Sequence, residues 1–281
     1  MKNLVTRVIS GIIYVALVFF AIYTIPYTPA LFLSVFAIFT LIGMWEISRL
    51  TLEGDVRAPL LTIVDMMGGL GVFLAFFSMY AGAESRSMWL LPLLLYFMAR
   101  LVMQLWMPHV NAIHSIERSM MCMVYVAFPL ALANSVVAVA GPMMLLAIFI
   151  LIWVNDTGAY CFGCTFGKKG NHKLFDRISP HKSWEGFWGG IASAVAAAVA
   201  IYYCFNTFFA GSSLLMWIGL ALVVTIAGTA GDLVESLIKR TADVKDSSNL
   251  IPGHGGLLDR IDSFLMACPA ALAYFIVLKY C

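Results

Sequence analysis

The sequence predicts an all-α, polytopic integral membrane protein with about nine transmembrane helices, its N-terminus inside and its C-terminus outside. Three observations carry this prediction: the composition, a series of long apolar stretches, and the uneven distribution of positive charge. The 281 residues are 62% hydrophobic and only 11% charged, whereas soluble domains are about 45–50% apolar and about 25% charged. This composition excludes a soluble enzyme, a disordered protein and a nucleic-acid-binding protein.

The apolar stretches are long enough to cross a bilayer. A helix needs about 20 mostly apolar residues to span about 30 Å of hydrocarbon, and helices are expected because lipid offers the backbone no hydrogen-bond partners. Nine stretches meet this requirement, in chain order: residues 8–24, 30–47, 59–80, 87–105, 119–140, 142–160, 187–209, 213–232 and 263–280.

The positive charges give the orientation. With the N-terminus inside, 15 of the 17 Lys and Arg residues fall on the inner side, and Arg86 and Lys279 remain outside. This asymmetry follows the positive-inside rule, and miscounting one span would destroy it. Two inner connections, 161–186 and 233–262, are long, charged and glycine-containing, which is typical of functional loops.

The connection 233–262, with the residues that flank it, carries the strongest chemical signal. If residues 231–240 are helical, Asp232, Ser236 and Lys239 are spaced by four and three and share one helix face. Asp259 and Asp262 are three apart, and they share a face of the helix that begins the ninth span. Carboxylates from two helices therefore converge on the same connection.

A tight turn separates these two helices. Pro252 and three nearby glycines force the turn, and glycine amides can approach an anion closely. Carboxylate oxygens suit Mg²⁺, which prefers one or two carboxylates together with substrate phosphates. Cations of the same segment can neutralise phosphate charge: Lys239, Arg240, Lys245 and Arg260. The pattern predicts a metal-and-phosphate site.

A second block precedes this one and is positively charged. Residues 161–185 contain five Lys or Arg residues and two acidic residues. A positive loop beside a carboxylate-rich loop is what a nucleoside triphosphate and its metal require, although the positive-inside rule alone also explains such a loop. Charges at membrane depth favour a functional role for Asp156 and Asp232.

Two interpretations remain open for each of three further residues. Glu46 and Asp65 lie within predicted spans, where each has either a functional role or a structural one, as the partner of an interhelical hydrogen bond or as an interfacial carboxylate. His254 lies among the turn glycines, where it either shapes the turn or contacts a ligand.

These motifs resemble those of a known family, the phosphatidate cytidylyltransferases or CDP-diacylglycerol synthases. The signature of that family is similar to an ordered run of this chain: Ser236-Leu-Ile-Lys239-Arg240, Lys245-Asp246, Pro252-Gly-His254-Gly-Gly, and Asp259-Arg260-Ile-Asp262. Its second block is similar to an upstream run: Asp156-Thr-Gly-Ala-Tyr160, Ser179-Pro, Lys182 and Glu185-Gly186. Together these runs cover about residues 155–265.

The resemblance implies an activity and a set of site residues. CTP and phosphatidate would give CDP-diacylglycerol and pyrophosphate in phospholipid biosynthesis, with Mg²⁺ and room for a second cation. The implied catalytic residues are Asp232, Ser236, Lys239, Asp259 and Asp262, of which Asp232, Asp259 and Asp262 would hold the metal. The implied substrate-binding residues are Lys182, Arg240, Lys245, His254, Gly255, Gly256 and Arg260.

The resemblance also implies the setting of the enzyme. Residues 1–140 would form five N-terminal membrane helices, and residues 141–281 a catalytic region of four spans with the two long loops. The partners would be CTP, phosphatidate and membrane lipid, without nucleic acid, and a homodimer is compatible with the family. The expected location is a bacterial cytoplasmic (inner) membrane, with the active site facing the cytoplasm.

Two other functions remain open on the sequence alone. Another CTP-dependent membrane lipid enzyme, such as a polyprenol kinase, would share the spans and the metal but transfer the γ-phosphate. An ion-coupled transporter would use the acidic residues as an ion path. The acidic residues crowd one side of the predicted membrane rather than its middle, which favours an enzyme.

Overall fold

The protein is a bundle of membrane-length helices with one short β-hairpin. A computed structural model describes residues 2–51, 58–80, 90–107, 111–167, 172–205, 209, 211–253 and 255–280. The first six helices are α1 (Lys2–Tyr23), α2 (Ala30–Leu50), α3 (Ala58–Tyr80), α4 (Leu90–Leu105), α5 (Ala112–Cys122) and α6 (Phe128–Ala140). The remaining elements are α7 (Pro142–Thr165), β1 (Lys173–Phe175), β2 (Ser179–Ser183), α8 (Trp184–Cys204), α9 (Leu214–Thr241) and α10 (Leu258–Tyr280).

The helices confirm the predicted all-α integral membrane fold. Eight helical stretches of the described chain are long and apolar enough to cross a membrane, with α5 and α6 forming a single stretch. The predicted span 87–105 corresponds to α4, whose 16 residues extend about 24 Å at 1.5 Å per residue, less than the ~30 Å of hydrocarbon. The count of nine crossings and the orientation stay predictions.

The helix α5 joins α6 through a π-helical turn, Met123–Ala127. Asn111 starts the combined helix, because its side-chain oxygen accepts hydrogen bonds from the backbone N–H groups of Ile113 and His114 at 3.1 and 3.3 Å. These are N–H groups that the first turn of a helix leaves without partners. The predicted span 119–140 omits the first turns of this helix, because they are too polar for a membrane-spanning pattern.

Aromatic side chains connect the two halves of the chain in the core. Phe149 of α7 and Phe264 of α10 stack with ring centroids 4.3 Å apart, and Phe36 of α2 meets both rings edge-on at 6.3 Å. All three side chains are at most 1% exposed. Such offset and edge-to-face contacts are favourable beyond the area that they bury, so α2 is fixed against the helices that carry the predicted site.

Small residues let the C-terminal helices approach one another closely. A Cβ atom at Gly189 of α8 would lie 2.3 Å from the Phe162 side chain of α7, and one at Gly231 of α9 would lie 2.6 Å from the backbone oxygen of Asp262 on α10. Close helix packing over small residues is the usual way in which membrane helices associate. It brings the ends of α7, α8, α9 and α10 together.

A buried ion pair organises the N-terminal helices. Arg100 of α4 lies 3.4 Å from the Asp65 carboxylate of α3, and both side chains are at most 2% exposed. Tyr96 and Ser119 each donate a hydrogen bond to Asp65 at 2.7 Å, and Arg100 also donates to Ser115. Of the two interpretations of Asp65, the structure therefore supports the interhelical hydrogen bond.

Replacing Arg100 by leucine should lower the free energy of unfolding by about 3–5 kcal/mol, because the buried Asp65 carboxylate then loses its cation. The double variant Arg100→Leu with Asp65→Leu should recover most of this loss, since it also removes the uncompensated charge. Thermal unfolding of the detergent-solubilised protein measures both effects. Equal losses in the single and double variants would contradict this view of the pair.

Candidate active site

The predicted site residues gather where one set of helix ends meets the β-hairpin. Strand β2 ends at Ser183, whose side-chain oxygen accepts a hydrogen bond from the Gly186 N–H and so starts α8. This places Lys182, the preceding residue, beside α9, where its ammonium forms an ion pair with Asp232. The hairpin falls within the predicted loop 161–186, and it fixes the position of Lys182, one of the expected substrate-binding residues.

One face of α9 carries the three predicted residues. The helix extends to Thr241, so Asp232, Ser236 and Lys239 share a face as predicted. Ser236 donates a long hydrogen bond of 3.4 Å to Asp232. The Asp232 side chain is 32% exposed, and a ligand can therefore reach it.

Lys239 links α9 to α10 through two carboxylates. Its ammonium lies 2.7 Å from Glu235 and 2.5 Å from Asp259. The three side chains are 12%, 0% and 7% exposed. A buried ion pair is stable only with good geometry and additional hydrogen bonds. Asp259 has both, because it accepts further hydrogen bonds from the protein. Glu235 is a member of the site that sequence reasoning missed.

Asp259 holds the glycine turn as well as Lys239. Its second oxygen, Oδ2, accepts hydrogen bonds from the backbone and side chain of Ser247, both at 2.9 Å, and from the Gly256 N–H at 2.8 Å. Both carboxylate oxygens are therefore engaged by protein donors. The turn is tight: Gly255 has φ of +79°, and a Cβ at Gly256 would lie 2.0 Å from the Ser247 hydroxyl.

Glu46 of α2 holds the same turn from the opposite side. One carboxylate oxygen accepts from Ser248 Oγ at 2.6 Å and from the Leu257 N–H at 2.9 Å. The other accepts from the Leu258 N–H at 2.6 Å and lies 3.1 Å from Ser247 Oγ, whose single proton it shares with Asp259. Glu46 is fully buried. The N–H groups at the start of α10 stabilise its charge. The only sequence signal for this role is a carboxylate within an apolar helix.

A cluster of four carboxylates lies where α7, α9 and α10 meet. Asp262 interacts electrostatically with Asp232, Glu235 and Asp156, and the carboxylate cluster is defined by these four residues. Glu235 Oε1 is buried without a hydrogen-bond partner in the described part of the chain. The nearby Tyr125 hydroxyl, in the π-helical turn, is also buried and unpartnered. The cluster thus has unused acceptors and surplus negative charge.

These residues fit a hard divalent cation. Hard carboxylate oxygens are the ligands that Mg²⁺ prefers, and Mg²⁺ needs only one or two of them when phosphates supply the rest. Within the described residues, no three His, Cys, Asp or Glu side chains surround one ion-sized position. The structure brings Asp232 and Asp262 into the carboxylate cluster and holds Asp259 in separate bonds, so it does not assemble the predicted trio as one ligand set.

The predicted substrate-binding residues do not all lie in one place either. Lys245, Gly255 and Arg260 line a cavity of ≈ 570 Å³ beside the glycine turn. Arg240 points elsewhere: its guanidinium donates to the backbone oxygen of Val244 at 3.2 Å, at the end of α9. His254 lies outside the described residues, so both of its interpretations stay open.

Comparisons with known proteins identify the family of the sequence. A sequence model of the Cytidylyltransferase family matches residues 5–278. A phosphatidate cytidylyltransferase of Haemophilus influenzae is 46% identical over 140 residues, which are 49% of this chain and 48% of that protein. For proteins of the same name, identity is 45% over 123 residues in Staphylococcus aureus, which are 43% of this chain and 44% of that protein, and 45% over 130 residues in Pseudomonas aeruginosa, which are 46% of each. The chain spans about half the length of the curated relatives it matches.

Replacing Glu46 by glutamine should lower the melting temperature, with a loss of about 1–3 kcal/mol in the free energy of unfolding. The amide keeps one acceptor oxygen, so one backbone N–H at the start of α10 and one serine hydroxyl lose their acceptor. Glu117→Gln is the matched control, because Glu117 is 64% exposed and pairs only with an exposed histidine in the described residues. A control variant as destabilised as Glu46→Gln would contradict this role.

Proposed function

Because the chain belongs to the cytidylyltransferase family, we propose that it transfers the cytidylyl group of CTP to phosphatidate. The products are CDP-diacylglycerol and pyrophosphate, as the names of the curated relatives indicate for those proteins. The observation that carries the proposal is the carboxylate cluster flanked by two fixed lysines, Lys182 and Lys239. Carboxylates that can hold a metal, with ammonium groups beside them, are the groups that a reaction between two phosphates needs.

The reaction joins two anions that repel each other in water. A phosphatidate oxygen attacks the α-phosphorus of CTP, and the bond from that phosphorus to the bridging oxygen breaks, so the electron pair leaves with pyrophosphate. Positioning the reactants in line and stabilising the charge on the leaving group are the main requirements. The lipid phosphate is largely ionised near neutral pH, and no separate strong base is needed.

Each part of the site has a role in this scheme. Asp232, whose side chain is 32% exposed, and Asp262, which faces three like charges, would hold Mg²⁺, with Asp156 and Glu235 beside them. The metal, when bound, would neutralise phosphate charge and stabilise the leaving pyrophosphate. Lys182, which is 27% exposed, would move from Asp232 to a phosphate oxygen. Lys239 and Asp259 orient the start of α10 rather than the substrate.

The site also agrees with the position that a lipid enzyme requires. The carboxylate cluster lies near the ends of membrane-length helices, so a lipid headgroup can reach it while the acyl chains stay in the bilayer. We propose that this end faces the cytoplasm of a bacterial inner membrane, where CTP is available. The division at residue 140 into an N-terminal and a catalytic region belongs to the same proposal, as does a homodimer, which light scattering of the detergent-solubilised protein would test.

Product analysis tests the proposed reaction. Purified protein with CTP, phosphatidate and Mg²⁺ should release pyrophosphate and form CDP-diacylglycerol, and a chelator of divalent cations should abolish both until Mg²⁺ is restored. Release of CDP with phosphorylation of a lipid alcohol would instead show a kinase. Ion flux in proteoliposomes without nucleotide turnover would show a transporter.

The variant Asp262→Asn should reduce turnover at least about 100-fold while the melting temperature stays equal or rises. Asp262 lies among three other carboxylates, so neutralising it relieves repulsion but removes a ligand for the metal. Asp259→Asn should lose both turnover and stability, because Asp259 bonds Lys239, Ser247 and Gly256. The exposed hairpin residue Asp176 provides the control, Asp176→Asn. Normal turnover in Asp262→Asn would refute the proposed metal-binding role.

A further inference from the structure

The cavity beside the glycine turn draws residues from both ends of the sequence. Its volume of ≈ 570 Å³ lies within the usual range of about 300–1,000 Å³ for small-molecule sites. Arg7 of α1 lines it together with Lys245 and Gly253 of the connection between α9 and α10, and with Arg260 of α10. Arg260 also interacts electrostatically with Asp156, so the cavity adjoins the carboxylate cluster.

The lining of the cavity favours an anion. Arg7, Lys245 and Arg260 supply three positive charges, and Asp246 supplies one negative charge, which leaves a balance of +2 among the described lining residues. The Arg260 Nε atom is buried and has no hydrogen-bond partner within the described chain. A buried donor without an acceptor is costly, and a phosphate oxygen in the cavity would satisfy it.

The position of Arg7 is fixed by contacts with the turn. A Cβ atom at Gly253 would lie 2.9 Å from Cγ of Arg7, so the absence of a side chain at Gly253 lets the Arg7 stem pack on the backbone. Gly253 also has φ of +77°, which favours glycine. One turn further along α1, the Ser10 hydroxyl lies 3.3 Å from the Pro252 oxygen. The N-terminal helix is thus attached to the turn at two points.

We propose that Arg7, Lys245 and Arg260 bind the triphosphate of CTP, which makes Arg7 a nucleotide-binding residue contributed by the first helix. The proposal rests on the proposed function and goes further, because sequence reasoning assigned this role to Arg240 and not to Arg7. Arginine is well suited to it, since the guanidinium makes paired, charge-assisted hydrogen bonds to phosphate.

The surroundings favour the nucleotide over the lipid phosphate as the ligand of this cavity. Apart from Arg7 and Arg260, the residues that line it belong to the connection between α9 and α10, outside the apolar stretches. A lipid phosphate brings two acyl chains that must remain in hydrocarbon, whereas a nucleoside triphosphate is fully water-soluble. Three cations also match several phosphate groups better than one.

Steady-state kinetics of Arg7→Ala, with CTP and phosphatidate varied separately, test the proposal. The KM for CTP should rise about ten-fold or more, while the KM for phosphatidate stays within about two-fold and kcat changes little. Arg7→Lys should recover part of the loss, because it keeps the charge but not the paired hydrogen bonds. Arg177→Ala is the matched control, since Arg177 is exposed on the hairpin and does not line the cavity. If Arg7→Ala does not accumulate, Lys245→Ala takes its place with the same expectation.

Two kinetic outcomes overturn the assignment. A rise in the KM for phosphatidate alone would place the lipid phosphate in the cavity, and unchanged values for both substrates would exclude a ligand there. Thermal shifts with CTP or tripolyphosphate, without phosphatidate, separate this proposal from the proposed function. Stabilisation of the parent protein that is lost in Arg7→Ala supports the pocket even if no CDP-diacylglycerol forms. Equal stabilisation of both proteins refutes the pocket even if the enzyme is active.

Discussion

The contact between Glu46 and the start of α10 is the interaction on which the site depends. A carboxylate buried in an apolar helix is costly unless donors surround it, and here three donors do so, with a fourth, the Ser247 hydroxyl, shared with Asp259. Two of them are the backbone N–H groups of Leu257 and Leu258, which the first turn of a helix leaves free. The contact therefore gives the Glu46 carboxylate its donors and gives these two N–H groups an acceptor. Since Ser247 also bonds Asp259, the position of α2 determines the geometry of the glycine turn, of Asp259 and, through it, of Lys239.

The charges near α10 divide into two groups with different tasks. Asp259 and Glu46 are saturated by hydrogen bonds, so they act as structural anions that shape the turn. The carboxylate cluster has the opposite character: Asp262 faces three like charges, and the ion pair of Lys182 is with Asp232. Like charges held together without enough partners are unfavourable for folding, and such arrangements are typical of functional sites. Between the two groups, Arg260 reaches from the cluster to the cavity, which joins the proposed metal site to the proposed nucleotide site.

The sequence predicted what depends on local pattern, and it failed where distant segments meet. Apolar length predicted the membrane-length helices of the described chain, although not the polar start of α5, and the spacing of Asp232, Ser236 and Lys239 predicted their shared face, because both follow from helix geometry. An interhelical hydrogen bond was one interpretation of Glu46, but its partners were not predictable, since backbone donors have no residue signature and lie more than 200 residues away. The sequence could not show that Arg7 rather than Arg240 lines the cavity. Both are basic residues, and only the path of the glycine turn determines which of them faces the cavity. The hairpin was missed because its strands are only three and five residues long.

The separation between Glu46 and its partners has a consequence for biogenesis. Leu257 lies 211 residues beyond Glu46, and at about 5–20 residues per second the ribosome needs on the order of 10–40 s to synthesise that distance. Throughout this interval α2 is already made while the donors for its carboxylate do not yet exist. Because a buried carboxylate without donors is costly, we expect the early helices to remain loosely assembled until α10 arrives. Insertion of α10 then supplies these donors, so the fold and the site are completed together.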